Sequence, residues 1–169
     1  MKYYMGVQLV QAKPMTLGEW FIDKSYEDYM ERSSETMGYL VERPNTYPLW
    51  VSKEEFESTY LPLTRPDSIM EPDLESFIGS MSEAFSVDRL DNKTTMVRME
   101  TRTGYVDYAT SSCVDPANYN KDIGINNCLG ELKNKLWPML EFVLQWAKYG
   151  LKPVSENKPE ENTTSEPME

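Results

Sequence analysis

Apolar positions along the chain recur at period two in some stretches and near period 3.6 in others, and each change of period marks an element. In "YYMGVQLVQAKPM", Tyr4, Gly6 and Gln8 fall on one face and Met5, Val7 and Leu9 on the other, which predicts a strand ended by Pro14. "MTLGEWFIDKSYEDYM" follows as a loop and a short helix. The apolar runs Tyr39–Val41 and Leu49–Val51 flank the polar, proline-rich "ERPNTYP", a hairpin pattern. Ser52 with Glu55 three residues later then forms a capping-box signal, so "SKEEFESTY" opens a helix. Two glutamates in its first turn suit the helix dipole.

Residues 61–73, "LPLTRPDSIMEPD", hold three prolines and little periodicity, so a boundary is expected there. Leu74, Phe77, Ile78, Met81 and Phe85 keep helical spacing and predict an amphipathic helix of about three turns, its stripe buried in a core or a subunit contact. Over 93–112, "KTTMVRMET" and "GYVDYATSS" surround "RTG", a second hairpin with Gly104 free to take a positive φ. There Thr95, Val97 and Met99 alternate with Met96, Arg98 and Glu100.

From about Asn120 to Tyr149 a long apolar stripe runs through Ile123, Leu129, Leu132, Leu136, Leu140, Val143, Leu144 and Ala147. Pro138 lies inside it, so a kink or a break into a helical hairpin is expected. Trp137, Phe142 and Trp146 fall outside the stripe, and a helix this apolar on several faces is central or meets another chain. The joint before it, "SSCVDPANYNKDIG", pairs Asp115 with Pro116 as a helix start. Asn118 or Asn120 offers a second cap, and Gly124 permits close packing on the sheet. The expected fold is α+β: small antiparallel sheets with a long C-terminal helix. Its segments are 1–62, a linker and helix over 63–92, a hairpin plus long helix over 93–150, and a polar, disordered tail over 151–169.

Charge and rare residues narrow the chemistry. The net charge of −11 is spread over the whole chain, with 6 Lys/Arg against 10 Asp/Glu in residues 1–62 and 9 against 13 in residues 63–150. No segment offers the basic face that phosphate backbones require, which disfavours direct nucleic-acid binding. There is no histidine, hence no ordinary general base near neutral pH and no commonest transition-metal ligand. Cys113 and Cys128 match no zinc spacing and read as small buried hydrophobes. Asp67, Glu71, Asp73 and Glu75 cluster near the linker as a solvated acidic stretch rather than a magnesium site. No phosphate loop, dinucleotide fingerprint or nucleophile elbow is present. The expectation is therefore a non-enzyme without cofactor or metal. With no apolar run near the ~20 residues that span a bilayer, it is expected away from membranes, in the cytoplasm.

Arginines beside aromatics are what remains. Arg98 and Arg102 adjoin the second hairpin with Tyr105 and Tyr108 across its turn; guanidinium forks grip phosphates and tyrosine faces stack on bases. Arg98 could equally pair with Glu100 or Asp107 on the sheet. Tyr39, Arg43 and Trp50 form a possible second pocket. Trp137, Leu140 and Leu144 are candidates for a subunit interface.

The segment "TGYVDYATSSCVDPANYNKDIGINNCLGELKNKLWPMLEFVLQW", residues 103–146, resembles a tailed-phage protein family named for members in coliphage N-four and phage Sf-six. "SCVDPANY", "DIG" and "NKLWPMLEFVLQW" carry the likeness. Cys128 stands where the family usually has alanine, and Phe142 where tyrosine is common. "AKPMTLGEW", "GYLVE" and "WVSKEEFESTYLPL" resemble a module frequent in small phage proteins. The resemblance implies phage origin and supplies no catalytic residues. By analogy of plan and setting, it suggests an anti-defence protein that sequesters a nucleotide immune signal (a cyclic nucleotide or ADP-ribose derivative) as a homo-oligomer in the host bacterial cytoplasm. The alternative expectation is an acidic interaction module that inhibits a host enzyme or DNA-binding protein.

Overall fold

Two three-stranded antiparallel sheets form, one in each half of the chain, in a computed structural model that describes residues 1–3, 5–23 and 35–153. Tyr4 of the first alternation, part of the first helical stretch and the tail beyond residue 153 lie outside the described residues.

The first sheet has the order β1-β2-β3, from β1 (Gln11–Thr16), β2 (Met37–Glu42) and β3 (Leu49–Ser52). The alternating stretch expected as a strand therefore falls mostly outside β1, and Pro14 does not end the strand but sits within it, opposite Tyr39. A proline donates no ladder hydrogen bond, which an edge strand such as β1 tolerates. Helix α1 (Leu17–Asp23) follows β1 directly. The β2–β3 hairpin forms as its apolar runs predict, with Asn45 at φ 60° in the turn. Ser52 accepts the Glu55 N–H at 3.3 Å and caps α2 (Lys53–Thr59). Val41 and Val51 are buried in this unit, and Tyr39 stacks on Phe56, which stacks on Tyr60.

The second sheet has the order β4-β5-β6, from β4 (Phe85–Arg89), β5 (Thr94–Glu100) and β6 (Val106–Ser112). Its β5–β6 hairpin follows the expected alternation, and Gly104 takes φ 79° in the turn. The expected three-turn helix is shorter. It divides into α3 (Glu71–Ile78) and the single turn α4 (Met81–Ala84), parted by Gly79 at φ 99°. Phe85 opens β4 instead of extending the helix.

Helix α5 (Lys121–Tyr149) is one helix of 29 residues with Pro138 inside it, so the alternative of a helical hairpin is not taken. Both Pro138 and Asn134, whose carbonyl loses its partner, are exposed, so water satisfies the freed group cheaply. The joint is built as its residues dictate. Asp115 accepts the Ala117 N–H at 2.9 Å over a short 3-10 turn, and Asn120 caps α5 by accepting the N–H groups of Asp122 and Ile123.

Cys128, Leu132, Leu136, Leu140 and Leu144 pack from α5 onto Val97, Met99 and Ala109 of the sheet, with Leu74 and Ile78 of α3 completing the core. Each fully buried leucine contributes roughly 1.5–3 kcal/mol by leaving water. Close approach is set by Gly124, where an added Cβ would stand 2.4 Å from Thr95 Oγ1. The wholly buried Thr95 has its hydroxyl satisfied by Tyr119 Oη at 3.0 Å, and Arg89 lies over the Tyr119 ring. Ile69, Leu74, Ile78 and Ala84 of the 63–92 stretch belong to the second unit's core.

Candidate functional site

Strand alternation decides which candidate residues can meet. Arg98 and Tyr108 are register partners on the sheet face turned away from α5, beside Ser86 of β4. Tyr105, at the end of the turn, precedes Tyr108 by three positions, so the two rings do not share a strand face. Both tyrosines are exposed. Arg98 is held by the Glu100 carboxylate, which raises its pKa against some desolvation, with Tyr108 adding to the rise. This is the surface pair that the sequence offers as the plainer reading.

Arg102 has a different task. Its backbone N–H donates to Phe77 O at 3.2 Å, Nη1 to Ser76 O at 3.3 Å and Nη2 to Glu57 O at 3.1 Å. Those carbonyls lie in the last turns of α3 and α2, which lack intrahelical partners and carry the negative end of the helix dipole. The guanidinium thereby ties a helix of the first unit to a helix of the second. Gly79 makes room for it, since a Cβ there would stand 3.2 Å from Arg102 Cγ. Beside this clamp an open groove of about 520 Å³ is lined by Gly79, Ser80, Glu83, Glu100, Thr101 and Arg102 among others. Its charge is mixed, one guanidinium against two carboxylates.

The second candidate set is divided between the faces of the first sheet. Tyr39 donates to Glu57 at 2.9 Å, which raises its pKa, and Arg43 Nη2 donates to Tyr60 Oη at 3.1 Å. Arg43 Nε lies buried without a hydrogen-bond partner among the described residues. Trp50 alternates to the opposite face, lies over Gly38 and donates Nε1–H to Met15 O at 3.0 Å. Tyr39 and Arg43 therefore share the aromatic ladder of α2, and Trp50 does not.

Of the residues proposed for a subunit contact, Leu140 and Leu144 are instead buried in the chain's own core. Trp137 packs partly against that core and donates to Glu141 at 3.1 Å. Exposed in their place are Met139, Phe142, Val143 and Tyr149 on the outer side of α5.

The acidic stretch near the linker is not simply solvated. Asp73 is almost wholly buried and accepts Thr64 N–H, Thr64 Oγ1–H and Met70 N–H within 2.8 Å. Burial alone would raise its pKa, but these bonds outweigh it and hold the carboxyl below the usual range. Glu71 and Glu75 both pair with Lys133 of α5, which lowers the Glu71 pKa. Among the described residues no three Cys, Asp or Glu side chains converge on a metal position. Cys128 is buried, which pushes its thiol pKa up, and Cys113 directs Sγ at the Lys93 and Asp115 carbonyls; both are free.

Two further lysines pair internally: Lys135 with Glu131 and Asp107, and Lys53 with Glu57. The sequence reading missed these partnerships, and the i,i+4 pairs Lys53–Glu57 and Glu131–Lys135 were the signal that could have found two of them. No helix of the described residues is long and apolar enough to cross a membrane.

Residues 69–147, from just before the α3 cap at Met70 into the last turn of α5, match the phage protein (N4 Gp49/phage Sf6 gene 66) family. The match takes in all of the second sheet and extends the resemblance upstream to α3. No curated protein and no solved structure matches the chain.

Proposed function

We propose, taking as premise the match of residues 69–147 to that phage family, that the protein is a non-catalytic phage accessory protein that acts by binding in the cytoplasm of the infected host. The favoured mode is the acidic one: its outer surface engages a basic face of a host protein, such as a DNA-binding protein. The observation that supports it is where the cations go. Lys133, Lys135, Arg98 and Lys53 pair with the chain's own carboxylates, and Arg102 donates to helix-end carbonyls. Those pairings use up carboxylates one for one, and the chain keeps a formal net charge of −11. A field of that sign steers the chain towards basic partners and repels polyanions.

A second reading, sequestration of a nucleotide signal, keeps one favourable observation. The groove at Arg102 adjoins Glu100, and through it Arg98 and Tyr108 on the open sheet face. Binding a phosphate there requires Arg98 to leave Glu100, at a cost the ligand must supply.

Two measurements separate the readings. Titration against a basic DNA-binding protein should give binding that weakens steeply with salt and is competed by duplex DNA; no binding at low salt refutes the acidic mode. Equilibrium dialysis against cyclic nucleotides and ADP-ribose derivatives, followed by denaturation, should show no retained compound. Release of intact ligand would transfer the assignment to the second reading, and release of converted ligand would show an enzyme.

A further inference from the structure

We propose that the outer face of the C-terminal half of α5 is a self-association surface, and that its occupant is α5 of a second copy packed antiparallel. The inference goes beyond the acidic-surface reading and uses none of its residues.

Met139, Phe142, Trp146 and Tyr149 recur at i, i+3, i+7 and i+10, one stripe of a helix, with Val143 on its flank. Met139 is 44%, Phe142 65%, Val143 42% and Tyr149 71% exposed, while Trp146 is half-buried. The stripe turns away from the core row of Leu136, Leu140 and Leu144, so nothing in the fold of its own sheet requires these side chains to be large and apolar.

Three observations select a second copy as the occupant. The first is area. Aromatic and methionine side chains exposed to this degree amount to roughly 500 Å² of apolar surface, at the upper end of the largest patch on a typical monomer. Two such patches together withdraw roughly 1,000 Å², the lower limit for a specific interface. The second is symmetry. With a two-fold axis passing opposite Leu144, Phe142 of one copy meets Trp146 of the other, and Met139 meets Tyr149. A patch whose spacing reads the same in both directions is self-complementary, as an isologous contact requires. The third is charge. Between Trp137 and Ala147 the only charged residue is Glu141, so a chain of net charge −11 can approach its copy here with little repulsion at the contact. Of the described N-terminal residues, Met1, Tyr3 and Met5 do not cover the stripe. Leu9 N–H reaches Ala147 O at 3.3 Å, yet Met1, Tyr3 and Met5 beyond it stand exposed.

Sedimentation equilibrium of the full chain over the micromolar range should give twice the 19.6 kDa chain mass. Phe142→Glu alone and Trp146→Lys alone should each sediment as a monomer with unchanged circular dichroism. Mixing the two variants should restore a dimer. In the antiparallel register the introduced carboxylate faces the introduced ammonium at one contact, and the native Phe142–Trp146 pair forms at the other. A wild-type chain that stays monomeric, as it would if another occupant were intended, overturns the proposal. So does a Phe142→Glu variant that remains dimeric, and failure of the mixed variants to associate overturns the antiparallel register. A monomeric Phe142→Glu variant keeps its acidic surface, so its binding to a basic protein tests the proposed function separately.

Discussion

Replacing Gly124 by alanine should destabilise the protein, although the same change elsewhere on the same helix should do the reverse. In a helix interior glycine costs about 0.8–1 kcal/mol relative to alanine, so propensity alone favours both substitutions. Gly130 also lies on α5, and a Cβ there meets nothing within 4 Å. At Gly124 the added Cβ would stand 2.4 Å from Thr95 Oγ1 and 2.8 Å from Thr95 Cβ. Ordinary contact needs about 3.4–4 Å, so helix and strand must part by roughly an ångström at a threonine that is wholly buried. Overpacking of this kind costs about 1–3 kcal/mol, and Thr95 cannot rotate away without losing its bond to Tyr119. The propensity gain offsets only part of that cost. Gly124→Ala should therefore lose up to about 2 kcal/mol, while Gly130→Ala should gain up to about 1 kcal/mol. Urea unfolding followed by circular dichroism reads both, and at this chain length each kcal/mol moves the melting midpoint by roughly 2–4 °C. If both variants shift stability in the same direction, the close approach at Gly124 does not govern the packing of α5.

Three further outcomes follow from single contacts. Asp73→Asn should cost about 1–3 kcal/mol, because it weakens three hydrogen bonds to a buried carboxylate. With its folded pKa depressed, Asp73 contributes stability fully above the unfolded aspartate value near 4 and loses it as pH falls through the folded value. The amide variant should thus show a flatter acid limb in pH-dependent melts. Arg102→Ala should cost about 1 kcal/mol and raise amide hydrogen exchange at the C-terminal ends of α2 and α3, whereas exchange in β5 and β6 should stay unchanged. Gly38→Ala should lower the stability of the first unit, since the new Cβ would stand 2.4 Å from both Trp50 Cζ2 and the Val51 carbonyl; an unchanged melt would show the indole to be free to move.

Much of this fold is legible in the residue pattern because its strongest elements are locally encoded. The α5 stripe, the β2–β3 and β5–β6 hairpins and the caps at Ser52, Asp115 and Asn120 each depend on residues close in sequence. The misreadings come from stretches where two periods fit. Phe85 continues the helical spacing of Leu74, Ile78 and Met81, yet Phe85 and Val87 also alternate with Ser86 and Asp88. The left-handed backbone at Gly79 ends the helix and lets the strand claim Phe85. Residues 1–9 alternate convincingly but have no partner strand among the described residues, whereas Pro14, read as a stop, is accepted on an edge.

For the candidate site, side-chain type and spacing marked Arg98 and Arg102 as cations. The pairing of Arg98 with Glu100, two positions on in its own strand, was legible as the plainer reading, but nothing local showed that Arg102 reaches 45 residues back to Glu57. Helix-end carbonyls have no signature in side chains, so that role was invisible to sequence. Leu140 and Leu144 were legible as apolar, but which side of α5 met the sheet depended on where Gly124 seats the helix.

The hydrogen bond from Leu9 N–H to Ala147 O joins two residues near opposite ends of the described chain. Closing so long a loop has an entropic cost that no local contact repays, so this bond can form only after α5 has docked on its sheet. The segment before β1 is therefore a late arrival in folding. During synthesis Leu9 cannot make this bond until the last turn of α5 has left the ribosome.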